Sequence, residues 1–351
     1  MLNVCITFDY ELFLGKNNAP YQEILFQPTK RIIDALAKAE TSGTFFADVC
    51  SVEAHHRLGD GNYCDAFTAQ IVDMVKYGQD VQLHLHTNWL SAEKIKGQII
   101  PGQRGYRIQE FDFDTNSNTS EIVRKGKMYL EDVCHSRNKN YRCIAYRAGG
   151  FAVQPEEKLF KVLIDNDILI DSSIVPHMKA DGINHYDYTR VPNKINWWID
   201  PEKGLNKEGT AYCNSIFEVP IATATPRLWQ VIGKPKNQLS LPSHRILGEY
   251  VTSQASSPKM NPLIRQWHRL FDYRYVSLDT RYYQRVIEDL EYIYRHFGLE
   301  DCDGYVCLIC HPKIADQSRI DNISNLVAEL KKRKTQFALV NFTDIYNKIF
   351  N

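Results

Sequence analysis

An excess of charge of either sign is missing from this chain. Its 351 residues carry 42 Lys and Arg against 42 Asp and Glu, a formal net charge of zero. No basic surface for a nucleic acid is expected. Long apolar runs are missing too, and none approaches the ~20 residues that span a bilayer. The N-terminus runs straight into an apolar strand, with no basic region and cleavage site ahead of it. No secretory signal is expected, and cytoplasmic residence is the default. The nine cysteines are odd in number and scattered. They read as reduced core thiols. Cys307 and Cys310 have the spacing of a zinc or redox pair, but in a strand they face opposite ways, and no second pair joins them. Internal repeats and low-complexity tracts are also lacking.

What is present is an alternation. With 44% hydrophobic residues the chain can bury a sizeable core. Strand patterns fall at residues 2–8, 44–50, 81–86, 142–147, 168–171, 215–220, 305–311 and 337–340. Helical patterns fall at 28–40, 64–77, 120–133, 155–166, 281–297, 322–333 and 344–350. Repeated strand–helix alternation predicts an α/β fold, a parallel sheet or barrel clad in helices, in one domain over 1–351. Three stretches, about 88–117, 176–214 and 222–279, do not fit and are expected to be insertions after strands.

Polar residues gather at the strand ends. His84 and His86 are two apart in a strand, so both imidazoles face one way, as a pair of metal ligands would. Two hydrogen-bonded histidines at a sheet edge would give the same pattern. Asp9 and Glu11 end the first strand with the same spacing. Buried carboxylates there need a cation, a basic partner or water. Arg147 precedes Gly149, Gly150 and Phe151; it could orient a carboxylate or make a simple ion pair. Asp171 reads equally as a helix cap. His311 reads as structural or as a proton donor. Seven such residues from five strands form the pattern of a barrel active site.

In this order the residues resemble the polysaccharide deacetylase family, the NodB-homology domain of carbohydrate esterase type. The family's Thr-Phe-Asp-Asp motif is matched by Thr7-Phe8-Asp9, but Tyr10 stands where a metal-binding Asp is usual. Glu11 takes that role in divergent members. His84 matches the first histidine of the His-x-x-x-His motif, Asn88 stands in place of the second, and His86 substitutes. Arg147 through Phe151 match Arg-x-x-Gly-aromatic. Leu308 to His311 match the last motif. The resemblance covers strand ends from residue 4 to about 315.

The resemblance implies a distorted (β/α)7 barrel with long loop insertions. It implies a hydrolase that removes an N-acetyl group from an amino sugar or glycan precursor. One divalent metal, Zn²⁺ first and Co²⁺ or Ni²⁺ as substitutes, would sit on Glu11, His84 and His86. Asp9 would be the base, steadied by Arg147, which Asp171 would hold. The Phe151 backbone N–H would serve the oxyanion, and His311 would be the acid. Trp89, Trp197 and Trp198, with Trp229 and Trp267, fall in the insertions; stacking on the carbohydrate is expected of them if their faces are exposed, and packing of the loops against the barrel explains them equally. The alternatives are a related non-peptide amidase, a barrel glycoside hydrolase, or an inactive glycan-binding member.

Overall fold

The computed structural model describes residues 1–15, 17, 19–111, 118–212, 214–225 and 272–351. Trp229, Trp267 and most of the 222–279 stretch lie outside them, as do residues 112–117.

Nine strands form the main sheet: β1 (Leu2–Tyr10), β2 (Thr44–Asp48), β3 (Asp80–Leu85), β4 (Ala145–Ala148), β5 (Ile170–Asp171), β6 (Trp197–Ile199), β7 (Ile216–Glu218), β8 (Gly304–Cys310) and β9 (Phe337–Leu339). Their order is β6-β7-β5-β4-β3-β2-β1-β8, with β9 also on β1. All neighbours run parallel except β6 and β7. β9 pairs with the start of β1 at Leu2 to Val4, and β2 pairs with its end at Thr7 to Tyr10. One edge of β1 is therefore shared between two strands, which splays the sheet.

Past β7 the chain leaves β5 and meets the free edge of β8. The Ala222 amide donates to the Cys307 carbonyl, and the Cys307 amide to the Pro220 carbonyl. Bridges from Ile221 to Cys307 and from Ser277 to Ile309 complete the contact. Seven of the parallel strands thus curl round with loose closure, as the helix-clad parallel barrel read from the alternation and the distorted (β/α)7 form implied by the resemblance both expect. Their C-terminal ends emerge at one rim.

Helices α1 (Gln27–Lys38), α2 (Val49–Arg57), α3 (Gly61–Lys76), α4 (Thr119–His135), α5 (Glu157–Asp165), α6 (Tyr283–His296), α7 (Gln317–Lys332) and α8 (Phe342–Phe350) surround the sheet. In α1, Ile32, Ile33 and Leu36 form the buried stripe. Each such side chain contributes about 1.5–3 kcal/mol. In α4, Asn118 caps the first turn by accepting from the Glu121 amide at 2.9 Å. Gly126 lets that helix lie close to the sheet, since a Cβ there would come within 2.9 Å of Leu83 and Val49.

Two elements differ from expectation. The second strand stops at Asp48, and Val49–Arg57 is helical. The β-branched, apolar run reads as a continuing strand, but packing against the turn Thr87–Ser91 makes it helix. Residues 197–199, read as part of an insertion, form β6 of the sheet.

Candidate metal centre and active site

β1 brings two carboxylates to its end, Asp9 inside the strand and Glu11 just past it, because alternate residues face inward. Thr7, Asp9 and Glu11 line the barrel interior, while Val4, Ile6 and Phe8 pack outward in the core. On β3 the same alternation turns Gln82, His84 and His86 inward. Two strands, separated by β2, so bring one carboxylate and two imidazoles together. Their ligating atoms lie within 4.8 Å of one another, and all three residues are buried.

The tautomer of His84 follows from its partner. Its Nδ1 lies 2.8 Å from the Arg147 carbonyl, which can only accept, so Nδ1 carries the proton. Nε2 faces Glu11 Oε2 at 3.2 Å; protonated it donates there, and deprotonated it would offer a lone pair to a cation. The His86 Nε2 contacts the same oxygen. The rings are edge-to-face with centroids 4.7 Å apart. A carboxylate oxygen and two Nε2 atoms are hard and borderline donors that suit a divalent cation such as Zn²⁺. The residues present therefore fit a metal.

Burial opposes the charged imidazole of His84, yet the Glu11 hydrogen bond and the charges of Asp9, Glu11 and Asp48 raise its pKa to about 9. Burial likewise opposes ionisation of Glu11, but His86, Lys313 and His84 hold it well below its ordinary range.

Arg147 is wholly buried. Its guanidinium donates to Asp9 Oδ1 at 2.6 Å, Thr7 Oγ1 at 2.9 Å, the Ser172 carbonyl at 2.9 Å and Ser172 Oγ at 3.1 Å. It also lies over the Phe46 ring, 4.1 Å from its centroid. A buried arginine with this many partners is rigid. Against burial, Arg147, His84 and His311 hold the Asp9 carboxyl below the usual carboxylate range.

Asp171 does not hold Arg147. It accepts from Ser173 Oγ at 2.7 Å and from the Ser173 amide at 3.2 Å. Its neighbour across the sheet is Glu218, directly opposite in register. Burial raises Asp171 to about 6 and Glu218 well above its range. Ser172, one residue on, faces the guanidinium instead.

His311 has a different orienting partner. Its Nδ1 lies 2.7 Å from Asp279 Oδ2, and its amide donates to Asp279 Oδ1 at 3.0 Å. Its Nε2 then faces Asp9 Oδ2 at 3.7 Å and Glu11 Oε1 at 3.8 Å. Burial disfavours the imidazolium, but Asp279 and Asp9 outweigh it and raise the pKa. The acid–base candidates and the metal triad therefore front the same gap.

Three participants were not among the residues singled out in the sequence. Asp279 sits in an irregular stretch without a strand pattern. Asp48, at the end of β2, accepts from the His86 amide at 3.0 Å and is raised to about 6 by burial, tempered by His86 and His84. Lys313 contacts Glu11 at 2.5 Å. The acidic end of β2 was the available clue for Asp48; nothing local marks the others.

At the rim, Gly150 and Phe151 both take positive φ, 59° and 62°. The phenyl ring of Phe151 meets Tyr275 edge-on, with centroids 5.9 Å apart. Tyr275 is 36% exposed and lies near enough to Asp9 and Asp279 to feel their charge. Among the described residues, no tryptophan presents an open face here. Trp89 and Trp197 are fully buried, and Trp198 packs on Tyr212, Phe217 and Phe350. Large rings in these stretches gain more by covering the barrel than by facing water.

No protein-family model matches the sequence, and no curated protein matches it either. Solved structures do. A protein from Parabacteroides distasonis, described as a candidate glycoside hydrolase/deacetylase, superposes with a TM-score of 0.51 at 12% identity, covering 98% of this chain and 69% of that one. The fold is that of a deacetylase-type barrel. Proteins assigned as polysaccharide deacetylases from Pseudomonas aeruginosa PAO1 and Mycobacterium smegmatis align over 99% of this chain. Their TM-scores are 0.47 and 0.46, their identities 10% and 12%, and their own chains are covered to 89% and 90%. Of these three, the first superposes well enough to speak to architecture. At such identity the likeness is one of fold. No described helix of this barrel is long and apolar enough to cross a membrane.

Proposed function

We propose that the protein is a divergent, metal-dependent hydrolase that removes an N-acetyl group from an amino sugar or glycan precursor. The carrying observation is the buried triad of Glu11, His84 and His86 fronting an oriented pair, Asp9 and His311. A divalent cation, Zn²⁺ first, held by the triad would supply Lewis-acid polarisation and acidify water.

The chain's own groups divide the remaining work. Arg147 occupies Asp9 Oδ1 and leaves Oδ2 to take the proton of the attacking water. The water oxygen bonds to the acetyl carbon. The Phe151 backbone N–H, on the Gly149–Phe151 turn, donates to the oxyanion that develops. His311, kept protonated by Asp279, gives its Nε2 proton to the nitrogen as the C–N bond breaks. Acetate and a free amine leave. Phe151 and Tyr275, in place of the buried tryptophans, offer aromatic faces for the sugar ring.

A glycosidase reading is disfavoured at the first strand. It needs one carboxyl kept protonated as an acid, and both Asp9 and Glu11 are held ionised by basic neighbours.

The test is metal content and acetate release by the purified protein on N-acetylated chito-oligosaccharides. Asp9→Asn and His311→Ala should each cost about 10²–10⁴-fold in rate. Saccharide binding without turnover, whatever metal is added, would move the assignment to an inactive glycan-binding member.

A further inference from the structure

Lys313 belongs to no motif in the sequence, yet it reaches the metal triad. It sits two residues beyond His311 on the turn Pro312–Ile314. Its Nζ donates to Glu11 Oε1 at 2.5 Å and to the Leu12 carbonyl at 3.4 Å. The ammonium lies 5.3 Å from the centroid of the Phe13 ring. The Lys313 side chain is 12% exposed and that of Glu11 5%. This is a sheltered ion pair between two well-packed groups.

The consequence is a division of Glu11 between its two oxygens. Oε2 faces both imidazoles, and Oε1 faces the ammonium. A carboxylate free at both oxygens can chelate a divalent cation and so take an extra coordination position. One tied at Oε1 offers a single donor. Catalytic metal sites need positions left open for water and substrate. The ammonium also adds a positive charge beside the place a cation would take, which disfavours that cation.

We propose that Lys313 is a positioning residue that confines Glu11 to one metal-facing oxygen, and that its charge holds the affinity for the cation down. The inference rests on reading the triad as a metal site. It adds a reason for this chain's acidic-x-acidic strand end: the second carboxylate comes with its own cationic brace, an ammonium held over the Phe13 ring, from the loop after β8.

The experiment uses the full chain loaded with Co²⁺, whose visible absorption weakens as coordination number rises. Affinity is read by competition with a chromophoric chelator. Lys313→Met should weaken the visible band as Glu11 chelates and should bind Co²⁺ about tenfold tighter with the repelling charge gone. Lys313→Arg should keep the wild-type band. Lys313→Gln, which retains a donor without charge, should tighten binding and leave the band unchanged; it also covers the case in which the methionine variant does not fold by circular dichroism. Methionine and glutamine variants that both match wild type in band and affinity, or bind Co²⁺ more weakly, overturn the proposal alone. A wild-type chain that takes up no Co²⁺ overturns both this proposal and the metal reading beneath it.

Discussion

A Cβ placed on Gly149 would stand 2.6 Å from the Leu85 carbonyl oxygen and 2.7 Å from His86 Nδ1. Glycine is required there so that the β4 loop can lie against the metal-facing imidazole. Gly149→Ala must push His86 or the loop away, an overpacking cost of about 1–3 kcal/mol. The expected result is a folded protein with less bound metal after dialysis than wild type; equal metal content would show that the loop yields instead. Asp279 acts at the same scale. It raises His311 above its ordinary range, so the protonated acid persists to higher pH. Asp279→Asn removes that support, and the alkaline limb of the pH–rate profile should move to lower pH by on the order of one unit. An unmoved limb would mean another group sets it. Asp9 and His311 were legible because each ends an apolar strand. Asp279 was not, because its role depends on where an irregular segment passes, and that is not a local property.

Between elements, β5 and β7 place Asp171 and Glu218 opposite each other with both carboxyls buried. Burial raises both, Asp171 to about 6. The folded state therefore binds protons more tightly than the unfolded chain. This contribution is fully present below the ordinary carboxylate range and is lost as pH rises through about 6 and beyond. Glu218→Gln imitates the protonated form, so its stability relative to wild type should grow with pH. Urea midpoints at acid and alkaline pH should differ by on the order of 1–3 kcal/mol in that sense. A constant difference would mean that the pair does not titrate on unfolding. The hydrophobic patterns identified both strands. Their lateral pairing, which makes two ordinary acids a proton-sharing pair, came only with the sheet order.

For the whole molecule, a cation on Glu11, His84 and His86 would tie β1 to β3 across β2. A ligand bound to the folded state alone stabilises it by about 2.7 kcal/mol at a hundred times its dissociation constant. Chelator treatment should therefore lower the melting temperature by a few degrees, on the order of 2–4 °C per kcal/mol. The same treatment should leave His84→Ala and His86→Ala unchanged. A wild-type melting curve indifferent to chelator would argue that no cation bridges these strands.

The sequence by itself determined most of the strands and helices and the inward-facing strand ends, because periods of two and 3.6 residues are local facts; helix α2 and strand β6, set by packing, escaped it. It placed Asp9, Glu11, His84, His86, Arg147 and His311 on the right ends for the same reason. Only the tertiary structure decided which partners those groups meet. Ser172 rather than Asp171 holds Arg147, Asp279 orients His311, Asp48 fixes the His86 backbone, and Lys313 braces Glu11. It also decided that Trp89 and Trp197 are core rather than binding surface. Partner choice and burial depend on strand order and on the course of loops, and these are set by packing across the whole chain rather than within any window of it.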